Sequence, residues 1–213
     1  MTRIKICGIT RRKDVENAIE LGIDALGFIL AESPRKVSLS AAEALIQDIP
    51  PFISTVGVVV NPCQAELDKI SSSGIFSHIQ FHGTEPSSIF KDLNMKTIKT
   101  FSIDSQEDLE NISLYRDADF LLFDTRVGKS IGGTGKTFDW TLIKDAARGK
   151  PFILAGGLGP GNIDDAIRTC RPDAVDLNSR LEYEPGKKDP VLMRETVIQI
   201  RKTDSEIIRS ERL

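Results

Sequence analysis

The sequence predicts an α/β protein built as a single (β/α)8 barrel domain over residues 1–213. Short β-rich runs alternate with amphipathic helical stretches from end to end, the rhythm of parallel βα units rather than of hairpins, and eight such units can be counted. Segment 151–155, Pro-Phe-Ile-Leu-Ala, is apolar throughout, as a parallel strand covered on both faces requires. A length of 213 residues with 40% hydrophobic content is enough for one full core, at the short end of the range for a closed barrel.

Taken in order, strands are expected at 3–7, 24–30, 52–60, 77–81, 96–101, 118–124, 151–155 and 173–178, with helices opening near 11, 40, 62, 86, 105, 139, 162 and 190. Several openings carry first-turn chemistry: Ser40 precedes Ala41-Ala42-Glu43, Asn61-Pro62 sets a proline just inside a start, and Asn162 follows a glycine-rich turn. The longest loop, 125–138, is glycine-rich and follows a strand, which in a barrel places it at the catalytic face. From about Thr203 the chain reads as the solvated end of the last helix.

The net charge of −3 comes from 28 basic and 31 acidic residues spread along the chain, so no basic stripe points to nucleic acid, and the partner expected is a small molecule. No apolar stretch approaches 18 residues, and no basic-then-apolar leader opens the chain, so neither membrane nor secretion is expected. Cys7, Cys63 and Cys170 form no CxxC pair for zinc or redox chemistry and fit reduced thiols in the cytoplasm.

In a barrel, function sits at the C-terminal ends of the strands. Those ends carry Cys7, Ser33 to Arg35, Asn61, Gln80 to Gly83, Asp124, Ala155 to Gly157 and Asp176 to Arg180. Strand alternation puts Lys5 with Cys7, His78 with Gln80 and His82, and Phe120 with Leu122 and Asp124, all facing the axis. The intervening Ile4, Ile6, Ile79, Phe81, Leu121 and Phe123 would pack under the helices. A charged amine inside a barrel needs a counter-charge, and strand order with parity offers Lys5 the carboxylates Asp176 and Asp124, Asp176 being preferred. Gly156 and Gly157, with the turn after strand eight at Asn178 and Ser179, suit a phosphate cradled by backbone N–H groups. The block Gly132-Gly133-Thr134-Gly135-Lys136-Thr137 resembles a Walker A loop only superficially, because Ile131 stands where its first glycine belongs.

Lys5-Ile6-Cys7-Gly8-Ile9-Thr10, Ala25-Leu26-Gly27-Phe28, Ser33-Pro34-Arg35, Gln80-Phe81-His82-Gly83, Asp124, the block from Gly132 to Trp140 and Leu154-Ala155-Gly156-Gly157-Leu158 together resemble the phosphoribosylanthranilate isomerase family. The resemblance runs in order from residue 5 to about 190. It implies a TIM barrel that converts N-(5-phosphoribosyl)anthranilate into its 1-deoxyribulose isomer in tryptophan biosynthesis, without metal or organic cofactor. It also implies that Asp124 is the general acid opening the ribose ring, that Cys7 is the general base at C2, and that Arg35 holds the anthranilate carboxylate. A nearby cation, for which Lys5 is the candidate, should help the thiol ionise. Gln80 and His82 are expected to line the polar mouth, with His82 outside direct proton transfer, and the assembly to be a monomer or homodimer.

One departure stands at the eighth strand end, where Asp176-Leu177-Asn178-Ser179-Arg180-Leu181-Glu182 puts Asn178 and Arg180 in place of smaller residues. Arg180 is expected to point along the rim toward Glu182 or Glu184. Two competing readings are an isomerase of the related Amadori reaction in histidine biosynthesis, which expects aspartate where Cys7 stands, and a phosphosugar-binding barrel without turnover, which would need neither Cys7 nor Asp124.

Overall fold

The computed structural model describes residues 1–91, 93–103, 106–125, 143, 147 and 149–211. Eight parallel strands close into a barrel in sequence order: β1 Arg3–Ile6, β2 Ala25–Ile29, β3 Ser54–Val59, β4 His78–Phe81, β5 Lys96–Ile103, β6 Phe120–Thr125, β7 Phe152–Ala155 and β8 Ala174–Leu177. Closure comes from β1 pairing with β8, which sets Lys5 opposite Asp176 in register. Phe52, expected inside the third strand, lies before it, with a φ of 73° and its side chain fully exposed.

The alternation read from the sequence decides what each strand face buries. Ile4, Ile6, Ile79, Phe81, Leu121 and Phe123 all belong to the large apolar layer outside the sheet. Phe123 packs there between Phe101 and Phe152 with ring centroids 6.0 and 5.8 Å away, and burying a side chain of this size contributes roughly 1.5–3 kcal/mol. Inside the barrel a smaller apolar cluster of Val56, Ile98, Leu122, Ile153 and Ala155 shares the space with buried polar Lys5, Gln80, Thr100 and Asp176.

The α-helices are α1 Arg12–Glu20, α2 Leu39–Ile46, α3 Gln64–Ser73, α4 Ile163–Cys170 and α5 Pro190–Ser210. Ser38, not Ser40, caps α2 by accepting from the Ala41 N–H, so that helix opens at Leu39. After Asn61-Pro62 the chain runs on to Cys63, which caps α3 in a reciprocal box with Glu66. The helices expected near 86 and 105 are 3-10 turns over Ser87–Phe90 and Gln106–Tyr115. Both segments contain Ser or Asn, whose side chains compete for backbone groups and weaken an α-helix. The start of the helix expected near 139, most of loop 125–138, the Walker-like block and Trp140 lie outside the described residues; Ile143 and Ala147, which are described, are buried.

The end of α5 is solvated on one face, with Ser205, Glu206, Arg209, Ser210 and Glu211 exposed, but not on the other. Thr203, Asp204 and Ile207 are buried, and Asp204 accepts the Thr2 backbone N–H and hydroxyl at 2.8 Å each, tying the last helix to the first strand. A hairpin of β9 Glu182–Glu184 and β10 Lys187–Lys188 follows β8 and pairs Lys188 with Glu182.

Candidate active site

The C-terminal mouth holds a cavity of about 200 Å³ whose lining includes Cys7, Gln80, His82, Asp124, Gly156, Gly157, Asn178 and Ser179. Eight of the nine site residues expected from sequence therefore meet there; Arg35 is the exception. A larger cavity of about 470 Å³ opens at the opposite mouth, lined largely by apolar groups such as Phe52, Val56, Ile98, Phe120 and Phe152. Convergent polar groups rather than size mark a reactive site, so the smaller cavity is the candidate.

Cys7 follows β1 directly, its N–H held by the Leu177 carbonyl at 2.8 Å. Below it Lys5 Nζ donates to Asp176 Oδ2 at 2.7 Å and to Gln80 Oε1 at 2.8 Å, with both ion-pair side chains under one tenth exposed. Gln80 passes the network on to Thr100 Oγ1 at 3.1 Å. The expected Lys5–Asp176 pair is thus present, and it alters the expectation for the thiol. Burial and the Asp176 charge push the Cys7 pKa up, and Lys5 and Lys188 only partly oppose them. Lys5 shares its charge between Asp176 and the thiol, so Cys7 is held as the thiol near neutral pH.

Space for that thiol comes from Gly27 on the neighbouring strand. A Cβ there would lie 2.7 Å from Cys7 Sγ and 3.0 Å from Lys5 Cε, so a side chain at 27 would displace both groups. Sequence reading quoted Gly27 inside a motif without this role; a glycine within a strand is itself a sign of close approach.

On the facing wall, His82 Nε2 stands 3.7 Å from Asp124 Oδ2. Burial lowers the His82 pKa against the pull of Asp124, so the imidazole is neutral near neutral pH. Gly156 and Gly157 adopt φ of 102° and 60°, which L side chains rarely accept. Asn162 braces their loop, donating to the Gly157 carbonyl at 3.1 Å and accepting the Gly159 N–H at 3.0 Å. The loop leads into α4, whose first N–H, that of Ile163, is taken by the Gly159 carbonyl at 3.0 Å and whose first turn carries Asp164 and Asp165. Asp176 lines the same cavity, and its buried Oδ1 has no hydrogen-bond partner among the described residues.

Arg35 sits at the rim. Its Nε and Nη2 grip both oxygens of Glu182 at 2.6 to 3.0 Å. Arg35 and Asn178 flank Gly8, since a Cβ on Gly8 would lie 2.7 Å from each. Glu182 also accepts from Lys188 at 2.8 Å, and Glu184 pairs with Lys187. Both acceptors foreseen for Arg180 are therefore taken, and the exposed Arg180 packs its Cβ over Gly159 instead, linking the loops after β8 and β7.

A family profile described as N-(5'phosphoribosyl)anthranilate (PRA) isomerase matches residues 4–199. The chain belongs to this isomerase family. An N-(5'-phosphoribosyl)anthranilate isomerase of Petrotoga mobilis is 54% identical over 201 residues, covering 94% of this chain and 97% of the relative. The crystal structure of the Thermotoga maritima phosphoribosyl anthranilate isomerase superposes with a TM-score of 0.87 at 35% identity, covering 95% of this chain and all of that one. A family structure in complex with reduced 1-(o-carboxyphenylamino)-1-deoxyribulose 5-phosphate gives 0.84 at 33% identity over 95% of this chain and 100% of its own.

Proposed function

We propose that this mouth isomerises N-(5-phosphoribosyl)anthranilate to 1-(2-carboxyphenylamino)-1-deoxyribulose 5-phosphate with Asp124 as general acid and Cys7 as general base. The observation that carries the reading is the convergence of a buried thiol, a strand-end carboxylate and a glycine-lined anion loop on one cavity. Asp124 gives its proton to the ribose ring oxygen as the C1–O bond breaks, leaving a Schiff-base cation at C1. Cys7 takes the C2 proton, and the enolamine so formed gains a proton at C1 while its C2 hydroxyl gives one up, which yields the ketone. The elevated thiol pKa is compatible with this order, because the cation formed in the first step favours the thiolate that the second step needs.

Gly156, Gly157, Asn178 and Ser179 hold the phosphate. Asp176 Oδ1 and Gln80 offer polar atoms to the sugar hydroxyls, and neutral His82 positions Asp124. Arg35 meets the anthranilate carboxylate through the edge that Glu182 leaves open. The domain is the whole of residues 1–213, and its partner is the phosphosugar. Among the described residues no helix is long and apolar enough to cross a membrane, and cysteines that form no disulfide support a cytoplasmic site.

Substrate fluorescence provides the test. Purified protein should consume freshly made phosphoribosylanthranilate, and Arg35→Ala should raise KM with a smaller change in kcat, because the carboxylate is present in ground and transition states alike. Unchanged KM in Arg35→Ala would remove Arg35 from the substrate site.

A further inference from the structure

Glu182 poses an electrostatic problem for the rim. A carboxylate gripping Arg35 at two points neutralises it, and a neutral pair is a poor receptor for another carboxylate. The hairpin supplies a compensating charge. Lys188 is fully buried beneath Glu182 and directs Nζ at three acceptors: Glu182 Oε1 at 2.8 Å, Asn178 Oδ1 at 2.8 Å and the Asn178 carbonyl at 3.2 Å. Three acceptors require three N–H bonds, which only the ammonium form has. Burial lowers its pKa, and Glu182 opposes that only in part. One carboxylate between two cations leaves the cluster with a single positive charge.

We propose that Lys188 is a positioning residue that sets substrate affinity: by neutralising Glu182 it frees the charge of Arg35 for an aryl carboxylate, and it fixes the Asn178 amide beside it. This rests on the Arg35 reading above. Glu182 takes Nε and Nη2, so the remaining guanidinium edge, Nη1 with the outer hydrogen of Nη2, keeps its geometry for end-on binding. Lys188 also claims the oxygen end of the Asn178 side chain, so the NH2 end is the one left for the ligand. The hairpin is pinned over the first loop by the Thr10 hydroxyl donating to the Gly186 carbonyl and by the Lys188 N–H reaching Asp14, which holds this arrangement rigid.

The test compares steady-state kinetics of Lys188→Met, Glu182→Gln/Lys188→Met, Glu182→Gln and Arg35→Ala with the wild type, each checked for folding by circular dichroism. Lys188→Met leaves the cluster neutral and should raise KM at least fivefold with kcat within threefold, and it should flatten the rise of KM with added salt. The double variant restores a single positive charge and should bring KM back to within threefold of wild type. A purely structural lysine would show no such recovery, so an unchanged KM in Lys188→Met or an unrecovered double variant overturns the proposal. Where Lys188→Met fails to fold, Glu182→Gln decides: an unraised KM with steeper salt dependence supports the proposal, and a KM raised fivefold overturns it. If Arg35→Ala leaves KM unchanged, the Arg35 reading itself has failed; if it raises KM while the other variants miss, only the Lys188 proposal has.

Discussion

Replacing Lys5 by methionine keeps most of the side-chain volume but removes the ammonium that joins Asp176 and Gln80 inside the barrel. Asp176 already has one oxygen without a partner among the described residues, and the substitution strands the other, as well as Gln80 Oε1. Lys5 and Asp176 are 3% and 8% exposed, so water cannot readily replace the lost contacts. Breaking a buried pair from one side costs roughly 3 kcal/mol. For a chain of this length each kcal/mol moves the melting temperature by roughly 2–4 °C, so a drop on the order of 6–12 °C is expected. Scanning calorimetry near pH 7 measures it. Lys5→Met/Asp176→Leu, which strands no charge, should recover most of the loss. An unchanged melting temperature in the single variant, or an equal loss in the double variant, would refute this account of the barrel interior.

Two further outcomes follow from other sites. The Cys7 thiol is held above the ordinary thiol value of about 8.5, so above that pH the unfolded chain gives up this proton first and the native state keeps it. The contribution is complete below about pH 8.5 and lost as pH rises toward the native value; Cys7→Ser should therefore lose less melting temperature than wild type between pH 8 and 10, and parallel curves would contradict the assignment. Arg180 makes no ion pair among the described residues, so Arg180→Gly should change kcat/KM by less than about tenfold, equivalent to roughly 1.4 kcal/mol; a hundredfold loss in KM that weakens with salt would make it a phosphate ligand.

The strand faces and the Lys5–Asp176 pair were legible because period-two alternation fixes which side chains enter the barrel and closure makes the first and eighth strands neighbours. Arg35–Glu182 was not, since those residues stand 147 positions apart and meet through a hairpin that no hydrophobic alternation announces. Lys188 drew no reading of its own from the sequence, because only the hairpin pairing with Glu182 shows that it turns inward while Lys187 stays at the surface. Asp204 was hidden in the same way, in a charged segment whose partner, Thr2, lies at the other end of the chain. For Cys7 the sequence placed the cation correctly, and Lys5 does favour the thiolate, but burial and the Asp176 charge outweigh it, a balance that alternation alone does not give.

The most direct test of the two-residue mechanism is the turnover of Cys7→Ala and Asp124→Asn measured with their affinity for reduced 1-(o-carboxyphenylamino)-1-deoxyribulose 5-phosphate by calorimetry. Each variant should lose at least about a hundredfold in kcat, the lower range for a lost acid or base, while binding the reduced compound within a few-fold of wild type. A variant that keeps more than half its turnover would contradict the role assigned to that residue.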